Sequence, residues 1–409
     1  MPRTVTIRKP EGAIRASVRL PRSKSVANRA LILASLTGDL SCVKDAAEAD
    51  DTRILSRLLI ERPDVMHCGA GGTTFRFLLA WACVQEGEER VITGDERLLD
   101  RPHEPLVDAL RQLGADIEHL PSGYRVRGRQ LSGGAITFDS PISSQFISAI
   151  LLIAPTFSHE LYVRWTGRRL SEPYVAMTLR MLAHFGAIPR MEMDGVRIVP
   201  AHLKATPITV PPDWSAAAFW FEVVALADDA EVELIGLKRD GLQGDQAVTA
   251  LMEPLVASEG TASGMRLRGR IEPQNDSVRI DLTDTPDLFQ PLAFAYAMMP
   301  VRWCFTGLHN LSVKESDRIA DVVEALKRFG IPAAAADDTC QLSVLDGSED
   351  RSLGHVFDPH GDHRMAMALA PLALLHGSIT IADPEVVNKS YPGFWDDLRT
   401  AGFTVEFDP

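Results

Sequence analysis

Ser23-Lys24-Ser25-Val26-Ala27-Asn28-Arg29 places two cations and the Ser25 hydroxyl at the mouth of a strongly apolar segment, residues 30–36. If that segment is a helix, its first turn is cationic. A helix N-terminus already carries partial positive charge and normally attracts Asp or Glu. An anion in front of this turn would convert the local penalty into a binding site, held by backbone N–H groups with Lys24 and Arg29. Taken alone, the same residues also fit an ordinary helix start with solvated charges.

Composition narrows the choice. The 409 residues are 45% hydrophobic, enough for a large core and two or three domains. The formal charge of −13 argues against general binding to nucleic acid or to an anionic membrane, so an anionic ligand must be captured by local cationic clusters. Cys42, Cys68, Cys83, Cys304 and Cys340 are odd in number and scattered, without CxxC or Cys/His spacing. Neither a disulfide framework nor a zinc site is expected, and a reducing compartment fits best. Residues 1–10 lack an apolar signal core, and no charge-free apolar run of about 18 residues occurs, so the expectation is a soluble cytoplasmic protein.

Outward from the first stretch, a repeat emerges. Amphipathic patterns ending in an apolar stretch precede Gly114, Gly186, Gly260, Gly330 and Gly402, which are 72, 74, 70 and 72 residues apart. Glycine just past a helix end supplies a left-handed cap, so the period predicts five helix ends, including one over 255–259. About half a repeat before each lies a more apolar helix pattern. Six such patterns start near Ser25, Thr73, Ser143, Ser215, Pro286 and Asp362, and helices apolar all round are buried ones. Short β-branched runs at 5–7, 14–18, 161–163, 196–199 and 278–280 read as strands between them.

The period therefore predicts one α/β unit repeated six times, in two domains of three units. Pro21 and Pro211-Pro212 each stand directly before a buried helix and mark the breaks. They divide the chain into 22–211 and a discontinuous partner, 1–21 with 212–409, with a hinge near 20–23 and 210–213.

Polar residues unsuited to a core gather at the six helix starts. The first has Lys24, Ser25 and Arg29; the second has the glycine-rich turn 69–72 followed by Thr73, Thr74 and Arg76. Such a turn lets backbone amides approach a ligand closely, although it lacks the GKS/T of a P-loop and ordinary loops share its composition. The third has Ser143, Ser144 and Gln145, the fourth Asp213 as a cap, the fifth Asp287, and the sixth Asp362, His363 and Arg364. Serine and aspartate caps explain much of this.

Residues 310–318 add Asn310, Lys314, Glu315 and Arg318, a charge run that ordinarily marks a solvated face, while Arg101 and Lys389 lie beside prolines. If the six helix starts share one cleft, Lys24, Arg29, Arg101, Lys314, Arg318, Arg364 and Lys389 converge in an acidic protein. Such a cavity suits two phosphate-bearing small molecules, with Asp287 and Glu315 available for proton transfer. No nucleophilic cysteine, Ser-His-Asp set or metal constellation is apparent.

Along nearly its whole length the chain resembles the EPSP synthases, the 3-phosphoshikimate 1-carboxyvinyltransferases of the enolpyruvyl transferase family. The likeness rests on Ser23-Lys24-Ser25 with Asn28-Arg29-Ala30, Gly72-Thr73 with Arg76, Arg101-Pro102, Ser143-Ser144-Gln145-Phe146 and Pro286-Asp287. It extends to Val313-Lys314-Glu315 with Asp317-Arg318, and to Asp362-His363-Arg364-Met365-Ala366-Met367. The resemblance implies a two-domain, inside-out α/β barrel of six βαβαββ repeats around buried helices, closing over shikimate 3-phosphate and phosphoenolpyruvate. It also implies chorismate biosynthesis, no cofactor, and a cytoplasmic monomer that is a glyphosate target.

By the same resemblance, Lys24, Ser25, Arg29, Ser143, Ser144, Gln145, Ser171, Asp287, Asn310 and Lys314 hold shikimate 3-phosphate. Lys24, Gly72, Arg101, Gln145, Arg318, Arg364 and Lys389 hold phosphoenolpyruvate. Residues 22–211 would form the shikimate 3-phosphate side, and the discontinuous domain the phosphoenolpyruvate side with the base. Asp287 is then the base for the attacking hydroxyl, Glu315 the acid and base at C3, and Lys24 a proton donor and charge stabiliser.

The chain departs from the family pattern at Ala70 (often Asn), Arg22 (often Gly) and Glu172 (often Lys). These put in doubt one substrate contact, hinge freedom and local charge, respectively. UDP-N-acetylglucosamine enolpyruvyl transferases share the fold, but typically carry Lys-Asn where this chain has Lys24-Ser25. They also commonly carry a mobile-loop cysteine that is missing from 95–101. A non-catalytic anion-binding protein would keep the cations without needing Asp287 or Glu315.

Overall fold

A parallel strand pair needs a long crossover, and in this chain an apolar helix supplies it. The pattern is clearest in Val65–His67, the helix Gly72–Cys83, the strand Glu89–Thr93, the helix Glu104–Gln112 and the hairpin Asp116–Leu120/Gly123–Arg127. The first two strands pair in parallel, with Val65 opposite Val91. The last strand then lies antiparallel beside the second, with Tyr124 opposite Ile92, and the third closes the edge. Every residue of Gly72–Cys83 except Thr73 is buried, as expected for a helix without a polar face. These features come from a computed structural model that describes residues 3–167, 171–270, 277–297, 299, 302–336, 339–342 and 356–408.

The chain divides into two compact units, Arg22–Val210 and Met1–Pro21 with Pro211–Pro409. The second boundary falls before Pro211, one residue earlier than the proline pattern places it. In Arg22–Val210, the four-strand arrangement recurs in Gly134–Asp139, Leu161–Thr166, Gly195–Ile198 and Pro189–Glu192 around the buried helix Ser144–Ile153. The remaining unit of this half is abbreviated. Beside the helix Lys24–Thr37 there is one parallel pair, Val43–Lys44 with Ile208–Thr209.

Among the described residues, the discontinuous unit holds three four-stranded sheets. Ile14–Val18 pairs in parallel with Ala230–Ile235, and residues 22–210 leave the chain between that first strand and its crossover helix, Trp214–Leu226. Ser277–Asp281 and Arg302–Thr306 repeat the parallel pair around Phe289–Ala297. In the last sheet, Thr4–Arg8 lies between Ser378–Ala382 and Thr404–Asp408, so the N-terminal strand completes the C-terminal repeat.

Glycines at one repeated position show why the register is so regular. A Cβ on Gly123, Gly195 or Gly264 would lie 2.2, 2.2 or 2.1 Å from the carbonyl oxygen of Ile92, Val163 or Leu234. Only glycine allows the last strand to approach the second this closely. The capping glycines follow the sequence reading at four of five positions: Gly114, Gly186, Gly330 and Gly402 all have φ between +72° and +99°. Gly260 does not follow it. Val256–Gly260 is a strand paired with Gly264–Gly269, because the preceding helix stops at Leu251 and the chain buries Leu255 and Val256 against the sheet. The outer sheet faces carry cross-strand pairs such as Arg125–Glu118 and Arg268–Glu231, both at 2.8 Å, so many arginines serve solvated surfaces.

One core residue breaks the apolar rule. Glu222 lies in the middle of Trp214–Leu226, fully buried, and neither carboxylate oxygen has a hydrogen-bond partner among the described residues. Burial raises its pKa well above the usual carboxylate value, so the folded protein holds it protonated. The unfolded chain releases that proton above about pH 4.3, and stability should fall by up to ~1.4 kcal/mol per pH unit from there until the folded pKa is reached. Glu222→Leu is therefore expected to gain stability over the wild type as pH rises from 5 to 8. Melting curves that run parallel for the two proteins across that range would refute this.

Candidate active site

In Arg22–Val210 the cationic helix start forms as the sequence suggests, and its charges find internal partners. Ser23 caps Lys24–Thr37 by accepting from the Val26 N–H, and no acidic residue occupies the first turn. Lys24 Nζ lies 2.9 Å from Asp51 Oδ2, and the Asp51 carbonyl accepts from Thr74 Oγ1 at 2.8 Å. Three helix starts are tied together through Asp51. Sequence reasoning missed this residue because an acidic pair opening an amphipathic helix already satisfies the helix dipole.

Arg29 departs from the expectation of a cation in front of the helix. It is 2% exposed, with Nε on Thr178 Oγ1 at 2.8 Å, one terminal nitrogen on the Ser25 carbonyl at 2.9 Å and the other on Ser148 Oγ at 3.2 Å. Its position one turn into the helix turns it toward the neighbouring helices rather than forward of the first turn. Burial lowers its pKa to about 10, which leaves it charged at neutral pH. One of its bonds holds the Ser25 carbonyl in the first turn.

The other predicted residues of this unit lie at helix starts. Ser143 caps Ser144–Ile153 by accepting from the Gln145 N–H, with Ser144 and Gln145 half-buried beside it. Gln145 Oε1 accepts from Arg76 at 2.6 Å, which makes Arg76 the residue that orients Gln145. Ser171 occupies the cap position of Glu172–His184 and is buried. Gly72 opens its helix directly under Arg101: a Cβ there would stand 2.8 Å from an Arg101 terminal nitrogen. Among the departures, Ala70 is exposed, Arg22 pairs with Asp45 at 2.7 Å, and Glu172 sits in the first turn of its helix, where its charge suits the dipole.

The discontinuous unit concentrates charge further. Arg318, 1% exposed, bonds Asp362 Oδ2 at 2.7 Å through Nε, and Asp287 Oδ1 at 3.0 Å and Glu315 Oε2 at 2.9 Å through its terminal nitrogens. Arg364 reaches Asp287 Oδ2 at 2.9 Å, and Lys389 Nζ lies 3.4 Å from Glu315 Oε1. Asp362 also caps its helix through the Arg364 N–H. The charge run expected on a solvated face is thus partly internal: Asp317 caps Arg318–Arg328 from an exposed position while Arg318 is enclosed.

Burial by itself would raise the Asp287 pKa, but Arg364, Lys314 and Arg318 outweigh it and hold the carboxyl well below the usual range. Burial opposes the charge of Arg318 too, and Asp362, Glu315 and Asp287 overcome it. Three carboxylates thus face four cations, Arg318, Arg364, Lys389 and Lys314. Asn310 is buried nearby in sequence, with an Oδ1 that lacks a partner among the described residues.

Asp245 was not foreseen. It is buried, accepts from Ser215 Oγ, and is pushed up to about 7, first by burial and then by the Asp287 charge. Its neighbourhood is set by Asp213, which caps Trp214–Leu226 through the Ser215 N–H at 2.8 Å. Among the described residues, no group of three or more His, Cys, Asp or Glu is placed to hold a metal ion, and no helix is long and apolar enough to cross a membrane.

Comparison with known proteins identifies the family. A family model described as EPSP synthase (3-phosphoshikimate 1-carboxyvinyltransferase) matches residues 54–398. A Bacteroides fragilis protein named 3-phosphoshikimate 1-carboxyvinyltransferase is 39% identical over 402 residues, covering 96% of this chain and 97% of the relative. A Methanospirillum hungatei protein of the same name is 31% identical over 424 residues, with 95% and 96% covered. Among solved structures, the EPSP synthase of Acinetobacter baumannii matches with a TM-score of 0.78 at 25% identity, over 100% of both chains. The enolpyruvyl transferase NikO of Streptomyces tendae, 13% identical with a TM-score of 0.72 over 100% of this chain and 99% of its own, shares the fold. The chain belongs to the EPSP synthase family, the 3-phosphoshikimate 1-carboxyvinyltransferases.

Proposed function

We propose that this protein transfers the enolpyruvyl group of phosphoenolpyruvate to the 5-hydroxyl of shikimate 3-phosphate, giving 5-enolpyruvylshikimate 3-phosphate and inorganic phosphate. The observation that carries the reading is the cluster in which Arg318, Arg364 and Lys389 meet Asp287 and Glu315, within a chain that matches the family over 54–398. Both substrates are multiply anionic, and the convergence of Arg318, Arg364, Lys389 and Lys314 supports anion binding.

In the addition step the 5-hydroxyl oxygen attacks C2 of phosphoenolpyruvate, its proton passes to a base, and C3 gains a proton. In the elimination step C3 loses a proton, the C2–O bond to phosphate breaks, and phosphate departs. Asp287 acts as base toward the hydroxyl, Glu315 exchanges the proton at C3, and Lys24 stabilises and protonates the leaving phosphate. Arg318 and Arg364 now hold Asp287 at low basicity. A substrate anion drawing on those same guanidinium groups raises the proton affinity of Asp287 as the reaction needs it.

Shikimate 3-phosphate is held by Ser25, Arg29, Ser143, Ser144, Gln145, Ser171, Asn310 and Lys314 with Lys24 and Asp287, and Arg29 also holds the Ser25 carbonyl. Phosphoenolpyruvate is held by Arg101, Arg318, Arg364 and Lys389 with Lys24 and Gln145, over Gly72. The protein works as a cytoplasmic monomer, a state that sedimentation of the purified chain would test. Phosphate release on mixing the chain with both substrates tests the activity, beside a reaction with UDP-N-acetylglucosamine in place of shikimate 3-phosphate. Release only with shikimate 3-phosphate is expected; release only with the nucleotide sugar would overturn the acceptor.

A further inference from the structure

The loop that carries Arg101 is fastened to the helix Gly72–Cys83 and to its leading turn at two places, and the second fastening is a histidine. At the first, the Asp95 N–H donates to the Gly69 carbonyl at 2.9 Å, and a Cβ on Gly94 would stand 2.7 Å from the same oxygen. The short helix Glu96–Leu99 follows with Leu98 buried, and the Arg101 N–H donates to the Leu98 carbonyl at 3.2 Å.

At the second, His103 Nε2 lies 2.8 Å from that same Leu98 oxygen. A carbonyl only accepts, so the proton is on Nε2. The His103 ring is 1% exposed, 4.3 Å from the Phe75 ring and edge-on to Tyr124. Glu104 completes the clamp, accepting from the His103 N–H and from the Tyr124 hydroxyl, each at 3.1 Å. Burial, then the charge of Arg76, lowers the His103 pKa to about 4, so the ring stays neutral at physiological pH and donates through one nitrogen.

Arg101 differs from the other cations read as phosphoenolpyruvate ligands in how it is aimed. Lys24, Arg318, Arg364 and Lys389 are each held by a carboxylate, whereas among the described residues none lies within 4 Å of the Arg101 side chain. Its Nε is buried without a hydrogen-bond partner there, and its terminal nitrogen stands over Gly72. Its direction must come from its loop.

We infer that His103 is a positioning residue for Arg101, its hydrogen bond to Leu98 setting the turn that directs the guanidinium past Gly72 toward the anionic substrate. The inference rests on the proposed reading of Arg101 as a phosphoenolpyruvate ligand. His103→Phe keeps the ring packing and deletes the bond, and His103→Gln restores a donor of similar reach. Steady-state phosphate release is measured for both variants, for Arg101→Ala, and for Arg101→Ala combined with His103→Phe.

With His103→Phe the KM for phosphoenolpyruvate should rise about tenfold while that for shikimate 3-phosphate stays within about twofold, and His103→Gln should return most of the loss. In the Arg101→Ala background, His103→Phe should add nothing. Equal rises in both KM values, or an undiminished effect without Arg101, would show a merely structural histidine and overturn the inference. Were His103→Phe not to fold, His103→Met makes the same deletion. A folded wild type that releases no phosphate would instead overturn the functional reading, and the inference with it.

Discussion

Arg318→Met is expected to lower stability by ~3–5 kcal/mol, the range for removing one partner of a buried charge network. The reason is geometric: one guanidinium bonds three carboxylates, and Asp362 among them is fully buried. With Arg318 gone, Arg364 still serves Asp287 and Lys389 still serves Glu315, but Asp362 keeps the Arg364 N–H at its helix start and the buried His363 ring 3.7 Å away. For a unit of this size the loss corresponds to a melting shift on the order of 10 °C. Calorimetry of the purified variant decides the matter; melting within a degree of the wild type would mean that the network relaxes or admits water at no cost. Arg318→Lys should recover little, because an ammonium cannot reproduce the three-way fork.

Asp287→Asn should lower kcat by about 10²–10⁴-fold, the usual contribution of a positioned general base, while the protein remains folded. The amide is nearly the shape of the carboxylate, and its oxygen can still accept from Arg318 or Arg364, although one of the two bonds is lost. Near-full turnover in a steady-state assay would remove Asp287 from the role of base. Stability provides a second readout. The folded pKa of Asp287 is depressed, so its contribution is present above the unfolded value near 3.9 and lost as pH falls below it. The variant should lack that part of the acid transition, and its stability deficit should therefore shrink as pH falls through that window.

The two substitutions touch residues of different legibility. Asp287 could be singled out from sequence because an acid at the start of a buried helix, in a chain with clustered cations, has few structural uses beyond the helix dipole. Arg318 could be counted among the cations of a shared cleft, but its role as a phosphoenolpyruvate ligand came only from family resemblance, since Lys314, Glu315, Asp317 and Arg318 in one run read locally as a solvated face. The fold turns Lys314, Glu315 and Arg318 toward Asp287 and leaves Asp317 outside, which a linear pattern does not encode. Asp51 and His103 were illegible for a related reason. Each has an ordinary local explanation, a helix-dipole acid and a loop histidine, and acquires its role from partners 27 and 5 residues away.

By itself the sequence determined the buried helices and four of the five capping glycines, because these follow from periodicity and glycine, which act locally on the backbone. The tertiary structure alone decided that Arg29 faces inward and that Thr4–Arg8 completes the last sheet. It also decided that 256–260 is a strand rather than a helix end, and that Arg318 joins three carboxylates. These depend on which distant side chains or strands become neighbours, and burial then makes leaving a charge or a backbone group unpaired too costly for any other arrangement.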